Sequence, residues 1–114
     1  MAPEAAVVSF RLGGADGVAV EARKWEGALA ELGFAVRRIA GAIEDAGRPD
    51  DAVVAGLAIP ADDGTGPPAV DERALTAALD GADLVIVENL CSLPLNADAA
   101  RAVARVLEIG RAHV

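Results

Sequence analysis

Residues Leu84–Val87 read Leu-Val-Ile-Val between Asp83 and Glu88, four apolar positions with no polar one among them. A strand with one wet face alternates polar and apolar residues. A continuous apolar run of this length fits a strand covered on both faces, as in a parallel sheet layered between helices. Ala5 to Leu12 is a second such run, carrying Val7, Val8 and Phe10, and it leads straight into Gly13 and Gly14. Val18, Ala22, Trp25, Leu29 and Leu32 follow at spacings of four, three, four and three, which predicts one helical stripe with Trp25 in the core. Asp16 is placed to cap that helix and Gly33 to stop it. Phe34 to Ala40 predicts the next strand, and Ala52 to Ile59 a third that Gly56 weakens. Asp71 caps a helix carrying Leu75, Ala78 and Leu79; Asn96 caps a last one with Val103, Val106 and Leu107 on one side.

Strands that alternate with helices predict the α/β class: a partial Rossmann-like parallel sheet with right-handed crossovers. With 114 residues the chain holds one domain at most. Apolar residues make up 54% and aromatics only 3%, so the core is built from Ala, Val, Leu and Ile. The net charge of −8 argues against a nucleic-acid partner, which wants a basic face. A single cysteine, Cys91, excludes an internal disulfide and reads as a small buried hydrophobe. The start lacks a basic leader, and no apolar run reaches the roughly 18 residues of a membrane span. A cytoplasmic chain without a transmembrane segment is expected, with peripheral membrane contact still compatible. Glu44, Asp45, Asp50, Asp51, Asp62 and Asp63 lack the fixed spacing of a calcium loop. They are expected to be solvated, and no metal is expected.

The last six residues, Ile109–Val114, are Ile-Gly-Arg-Ala-His-Val. One frame of the common ligation adapter of short-read sequencing, ATC GGA AGA GCA CAC GTC, spells the same peptide, and its next codon is the stop TGA. Residues 109–114 are therefore expected to be an artefactual tail on an incomplete domain spanning 1–108, and His113 is given no role.

Two segments fall at the carboxyl edge of the expected sheet, where α/β proteins bind ligands. The first, Arg11–Gly17, places paired glycines between a strand and a helix, where free amides and the helix dipole suit a phosphate. It fits the dinucleotide fingerprint only in part, since Gly14 and Gly17 match but Leu12 stands at the first glycine. A purely structural tight turn is the plain alternative. The second segment ends the Leu84–Val87 strand and offers Glu88, Asn89 and Ser92 for hydroxyl groups, although Glu88 at a strand end also serves local backbone. Arg11 stands where it can face a phosphate or solvent.

Here the residues resemble a family. "RLGGADGVAVEARKWEGALAELGFAV" and "ADLVIVENLCSLPLN" are similar to the opening and the fourth-strand segment of family 4 glycosyltransferases of the GT-B fold, over residues 5–107. The resemblance implies the N-terminal, acceptor-side half of a two-domain enzyme that transfers a sugar, with retained configuration, from a nucleotide-sugar donor to an acceptor hydroxyl. It needs no cofactor and no metal. The resemblance sets the backbone amides of Gly13 and Gly14 against the donor's phosphates or the transferred sugar, and Glu88, Asn89 and Ser92 toward acceptor or sugar hydroxyls. The catalytic residues stay unknown, and the chain alone, without the half that holds the donor, is expected to be inactive. Two other classes stay open: an NAD(P)- or FAD-binding oxidoreductase domain, and a non-catalytic α/β binding domain. The first wants an acidic residue ending the second strand near Ile39, where the sequence offers Arg38, Ala40 and Gly41.

Overall fold

The first apolar run becomes the centre of the sheet. The computed structural model describes residues 2–45, 47–60, 64–88 and 96–107. Its elements are β1 (Glu4–Leu12), α1 (Gly17–Glu31), β2 (Ala35–Ile43), β3 (Ala52–Val53), a 3-10 turn (Ala55–Leu57), α2 (Glu72–Leu79), β4 (Leu84–Val87) and α3 (Ala97–Leu107). The strands form one four-stranded sheet in the order β3-β2-β1-β4. All three pairings are parallel, with Val8 opposite Ile39 on one side and Val87 on the other. The chain thus moves outward from β1 to β3, then crosses back to lay β4 beside β1. This is a partial Rossmann-like α/β fold.

The continuous apolar runs are explained by the layers. Ala6, Val8 and Phe10 join Val85 in a core under α2 and α3, with Leu75, Leu79, Val103 and Val106. Ala5, Val7 and Ile86 face the opposite way, onto Ala22 and Leu29 of α1. Asp16 caps α1 by accepting from the Ala19 amide at 3.0 Å, and Gly33 ends it at φ +95°. Asp71 caps α2 and Asn96 caps α3, as their side-chain chemistry predicts.

Two expectations are corrected. Trp25 is 41% exposed, because the buried face of α1 keeps Ala22 and Leu29 of the expected stripe but is completed by Ala19 and Glu26 rather than by Trp25. Alanines let the helix axis come close, and a tryptophan ring does not fit beneath it. The third strand shrinks to Ala52–Val53, pairing only with Ile39 and Ala40, and then turns. Gly56 explains the break: a Cβ there would stand 2.6 Å from Val70 Cα and 2.7 Å from its nitrogen, so the chain folds back against itself at that point. β2, in turn, runs three residues past the expected Ala40, to Ile43. No helix among the described residues is long and apolar enough to cross a membrane.

Candidate functional site

β1 and β2 run on in register to Leu12 and Ile43, and the Gly13–Gly14 turn follows directly, whereas β4 stops earlier, with Val87 opposite Val8. Gly13 takes φ +82°, a conformation that costs other L-residues strain, so its glycine is required by the backbone alone. Both glycines also allow close approach. A Cβ on Gly13 would lie 2.6 Å from Asp45 Oδ1 and 2.7 Å from the Asp45 nitrogen. A Cβ on Gly14 would collide with Glu44 Oε2 and stand 3.2 Å from Asp16 Oδ2. The residues in front of the turn are therefore carboxylates delivered by the end of β2. The turn is half-buried, and Arg23 Nη1 holds the Gly14 carbonyl at 2.8 Å.

The segment after β2 is fixed by a network whose centre is Arg38. Its guanidinium is 1% exposed; Nε and Nη2 donate to the two Asp51 carboxylate oxygens at 2.9 and 2.6 Å, and Nη1 donates to Asp45 at 2.9 Å. The Arg48 amide donates to Asp51 at 2.7 Å, and Arg48 Nη1 reaches Glu26 Oε1 on α1 at 2.6 Å. Burial alone would raise the Asp51 carboxyl, but the Arg38 and Arg48 donors outweigh it and hold it below the usual carboxylate range. Hydrogen bonding from Arg38 lowers Asp45 in the same sense. Asp45 and Asp51 are thus structural ion-pair partners; Asp51 is withdrawn from solvent, which corrects the expectation for that residue, while Asp45 stays exposed. Asp62 and Asp63 lie outside the described residues. Among the described residues no group of His, Cys, Asp or Glu is arranged to hold a metal ion.

Glu88 ends β4 on the same edge. Its amide donates to the Val8 carbonyl at 2.8 Å, and its own carbonyl accepts from the buried Ser9 hydroxyl at 3.1 Å. Burial raises the Glu88 carboxyl above its ordinary value, and the Glu21 charge on α1 adds to the shift. A raised carboxyl means the folded state binds the proton more tightly than the unfolded chain does. At pH 7 the charged form therefore opposes folding, and that penalty vanishes once both states are protonated. Glu88→Gln is expected to raise the urea midpoint at pH 7 and to leave it unchanged near pH 3; equal midpoints at pH 7 would contradict this. Asn89 and Ser92 lie outside the described residues.

Arg11 points back over the turn, 3.2 Å from Asp16 Oδ2 and 4.0 Å from Glu44 Oε1. On the far side of the same edge, a hollow of about 540 Å³ opens between the segment after β3 and the start of α3, lined by Gly56, Pro67, Pro68, Val70, Asn96 and Arg101. Asn96 shapes it by donating to the Gly56 and Ala58 carbonyls at 3.0 and 2.7 Å, a tie that its capping role in the sequence did not disclose. The Arg38 network was missed because an arginine and two aspartates 7 and 13 positions away carry no local pattern. The one available signal was an arginine pair, Arg37–Arg38, inside a strand where alternation must bury one of them. No family model, curated protein or solved structure matches this chain.

Proposed function

We propose that this chain is the acceptor-side, N-terminal half of a cytoplasmic glycosyltransferase that moves a sugar from a nucleotide-sugar to an acceptor hydroxyl. The observation that carries the reading is a juxtaposition. Adjacent parallel strands β1 and β4 run toward the same carboxyl edge, at the point where strand order reverses. β1 continues to Leu12 and the glycine turn before α1; β4 stops just before the half-buried Glu88, four positions short of that turn by register. The reading also draws on the resemblance of "RLGGADGVAVEARKW" and "ADLVIVEN" to family 4 enzymes.

In the transfer, the bond from the anomeric carbon to the diphosphate oxygen breaks, a bond to the acceptor oxygen forms, and the acceptor's proton passes to the leaving diphosphate. Charge grows on the leaving diphosphate. The amides of Gly13 and Gly14, in the turn that precedes the 15-residue helix α1, would stabilise that charge. Glu88, with Asn89 and Ser92, would hold hydroxyl groups of sugar or acceptor. No metal, cofactor or nucleic acid enters this scheme.

The test is to express the native reading frame continuously through codon 108 and assay nucleoside-diphosphate release from a panel of nucleotide-sugars with hydroxyl acceptors. Release that depends on an acceptor is expected, with none from the 114-residue chain. A continuous frame without release, in the presence of a folded protein, contradicts the proposal.

One observation favours a second reading, a dinucleotide-binding oxidoreductase domain. Because β2 runs to Ile43, the residue that follows it is Glu44, an acid near the place where such domains hold a ribose hydroxyl. Against it, Arg38, the residue suited to a phosphorylated ribose, is already bound by Asp51 and Asp45. Turnover or saturable binding of a nicotinamide dinucleotide, without nucleoside-diphosphate release, would select this reading.

A further inference from the structure

Of the three buried polar side chains among the described residues, Glu26 and Arg38 belong to the ion-pair network after β2, and Ser9 stands apart from it. Ser9 interrupts the apolar run of β1 between Val8 and Phe10, is 0% exposed, and stands opposite Ala40 of β2. A hydroxyl taken out of water there is unfavourable unless it is bonded, and alanine would fill nearly the same volume without that cost. The bond it makes goes across the sheet to the carbonyl of Glu88, at 3.1 Å. We propose that Ser9 is a positioning residue for Glu88: its hydroxyl fixes the point at which the chain leaves β4 and so holds the Glu88 carboxylate at the sheet edge. This inference rests on the reading of Glu88 as a residue that binds hydroxyl groups, and it adds the residue that sets its place.

The pairing of β1 with β4 ends at Val8 and Val87, one residue before Glu88. Beyond that point the Glu88 amide still donates to the Val8 carbonyl at 2.8 Å, and the Glu88 carbonyl accepts from the side chain of the next β1 residue. The amide belongs to the peptide plane before the Glu88 Cα and the carbonyl to the plane after it. Both planes are therefore tied to β1, through Val8 and Ser9 in turn. With the two planes fixed, so is the direction in which the Glu88 side chain leaves the backbone. Without the hydroxyl, the plane after Glu88 loses its tie to β1.

That direction is one the carboxylate would not keep unaided. Strand alternation puts Glu88 in the row of Leu84 and Ile86, the face of β4 that packs with Ala22 and Leu29 of α1. On that face burial, and then the charge of Glu21 on α1, raise the Glu88 carboxyl. An unrestrained carboxylate turns away from both, into water. Anchored on both sides, Glu88 stays half-buried beside α1, where a hydroxyl group of a ligand is a better partner than bulk water is allowed to be. Removing the Ser9 hydroxyl lets the side chain turn outward and returns its carboxyl toward the ordinary value.

The experiment follows the side-chain carboxyl carbon of Glu88 in ¹³C spectra of this chain across a pH titration, in wild type, Ser9→Ala and Ser9→Thr. A lower midpoint is expected in Ser9→Ala, and the wild-type midpoint in Ser9→Thr, whose hydroxyl restores the donor. A loss of stability alone leaves the midpoint of the folded protein in place, so this readout separates positioning from packing. An unchanged midpoint in Ser9→Ala overturns the proposal. A midpoint lowered equally in Ser9→Thr overturns it as well, because the hydroxyl is then not the cause. Should Ser9→Ala lose spectral dispersion, Ser9→Cys, near serine in size and only a weak donor, is read in its place. Failure of the sugar-transfer reading shows separately, as absent nucleoside-diphosphate release in the assay above, and leaves the Ser9 anchor standing.

Discussion

Arg38→Ala is expected to lower the stability of this chain by about 3–5 kcal/mol, a large share of the roughly 5–15 kcal/mol that holds a domain together. The substitution leaves Asp51 9% exposed with its two Arg38 donors gone, and it frees Asp45 from the anchor that holds it against Gly13. An unpaired buried carboxylate is the costly outcome, more so than the lost attraction. The network also joins three parts of the fold: β2 through Arg38, the approach to β3 through Asp51, and α1 through Arg48 and Glu26. Urea unfolding of Arg38→Ala, Asp51→Asn and Arg38→Met/Asp51→Asn separates the causes. The double variant is expected to recover most of the loss, since it removes both charges together. A single Arg38→Ala that unfolds with the wild-type midpoint would show that the ion pairs contribute nothing.

Gly41→Ala carries the second large effect, about 3 kcal/mol of destabilisation from overpacking. Gly41 is buried in β2, and a Cβ there would stand 2.7 Å from Ala58 Cβ and closer still to the Ala58 backbone. Ala58 has little freedom to withdraw. Its amide donates to Ala55 at 3.1 Å, and its carbonyl accepts from Asn96 at 2.7 Å. Gly27→Ala is the matched comparison, because nothing lies within 4 Å of a Cβ at that position in the middle of α1. It is expected to gain about 0.5–1 kcal/mol from helix propensity. Thermal unfolding of the two variants should therefore move in opposite directions. A Gly41→Ala transition at or above the wild-type temperature would contradict the close approach.

The strands and helices that carry a period were legible in the sequence. β4 showed itself by an uninterrupted apolar run, and α1 by its cap, its stop and its repeat, because each of these depends on local residues. The face of α1 on the sheet was legible only in part: Ala22 and Leu29 are on it, but Trp25 is not. Trp25 has the greater hydrophobicity, but Ala19 and Ala22 permit the shorter distance, and packing decided for distance. β3 was over-extended because Gly56 was read for its own weakness in a strand, whereas the break comes from a close approach of Val70, 14 residues later in the chain. The glycine turn itself was placed correctly on the carboxyl edge. That carboxylates stand in front of it depended on β2 running on to Ile43, which brings Glu44 and Asp45 to the turn. Residues that meet only through strand register leave no trace in local spacing.

We propose that the carboxyl edge of this sheet is the surface that meets a nucleotide-sugar. Mapping amide shifts of the chain during titration with nucleotide-sugars tests it most directly. Shifts concentrated at Gly13, Gly14, Ala15 and Glu88 are the predicted result. Shifts confined to the opposite edge, around Glu4 and Asp83, or none at all in a dispersed spectrum, would contradict it.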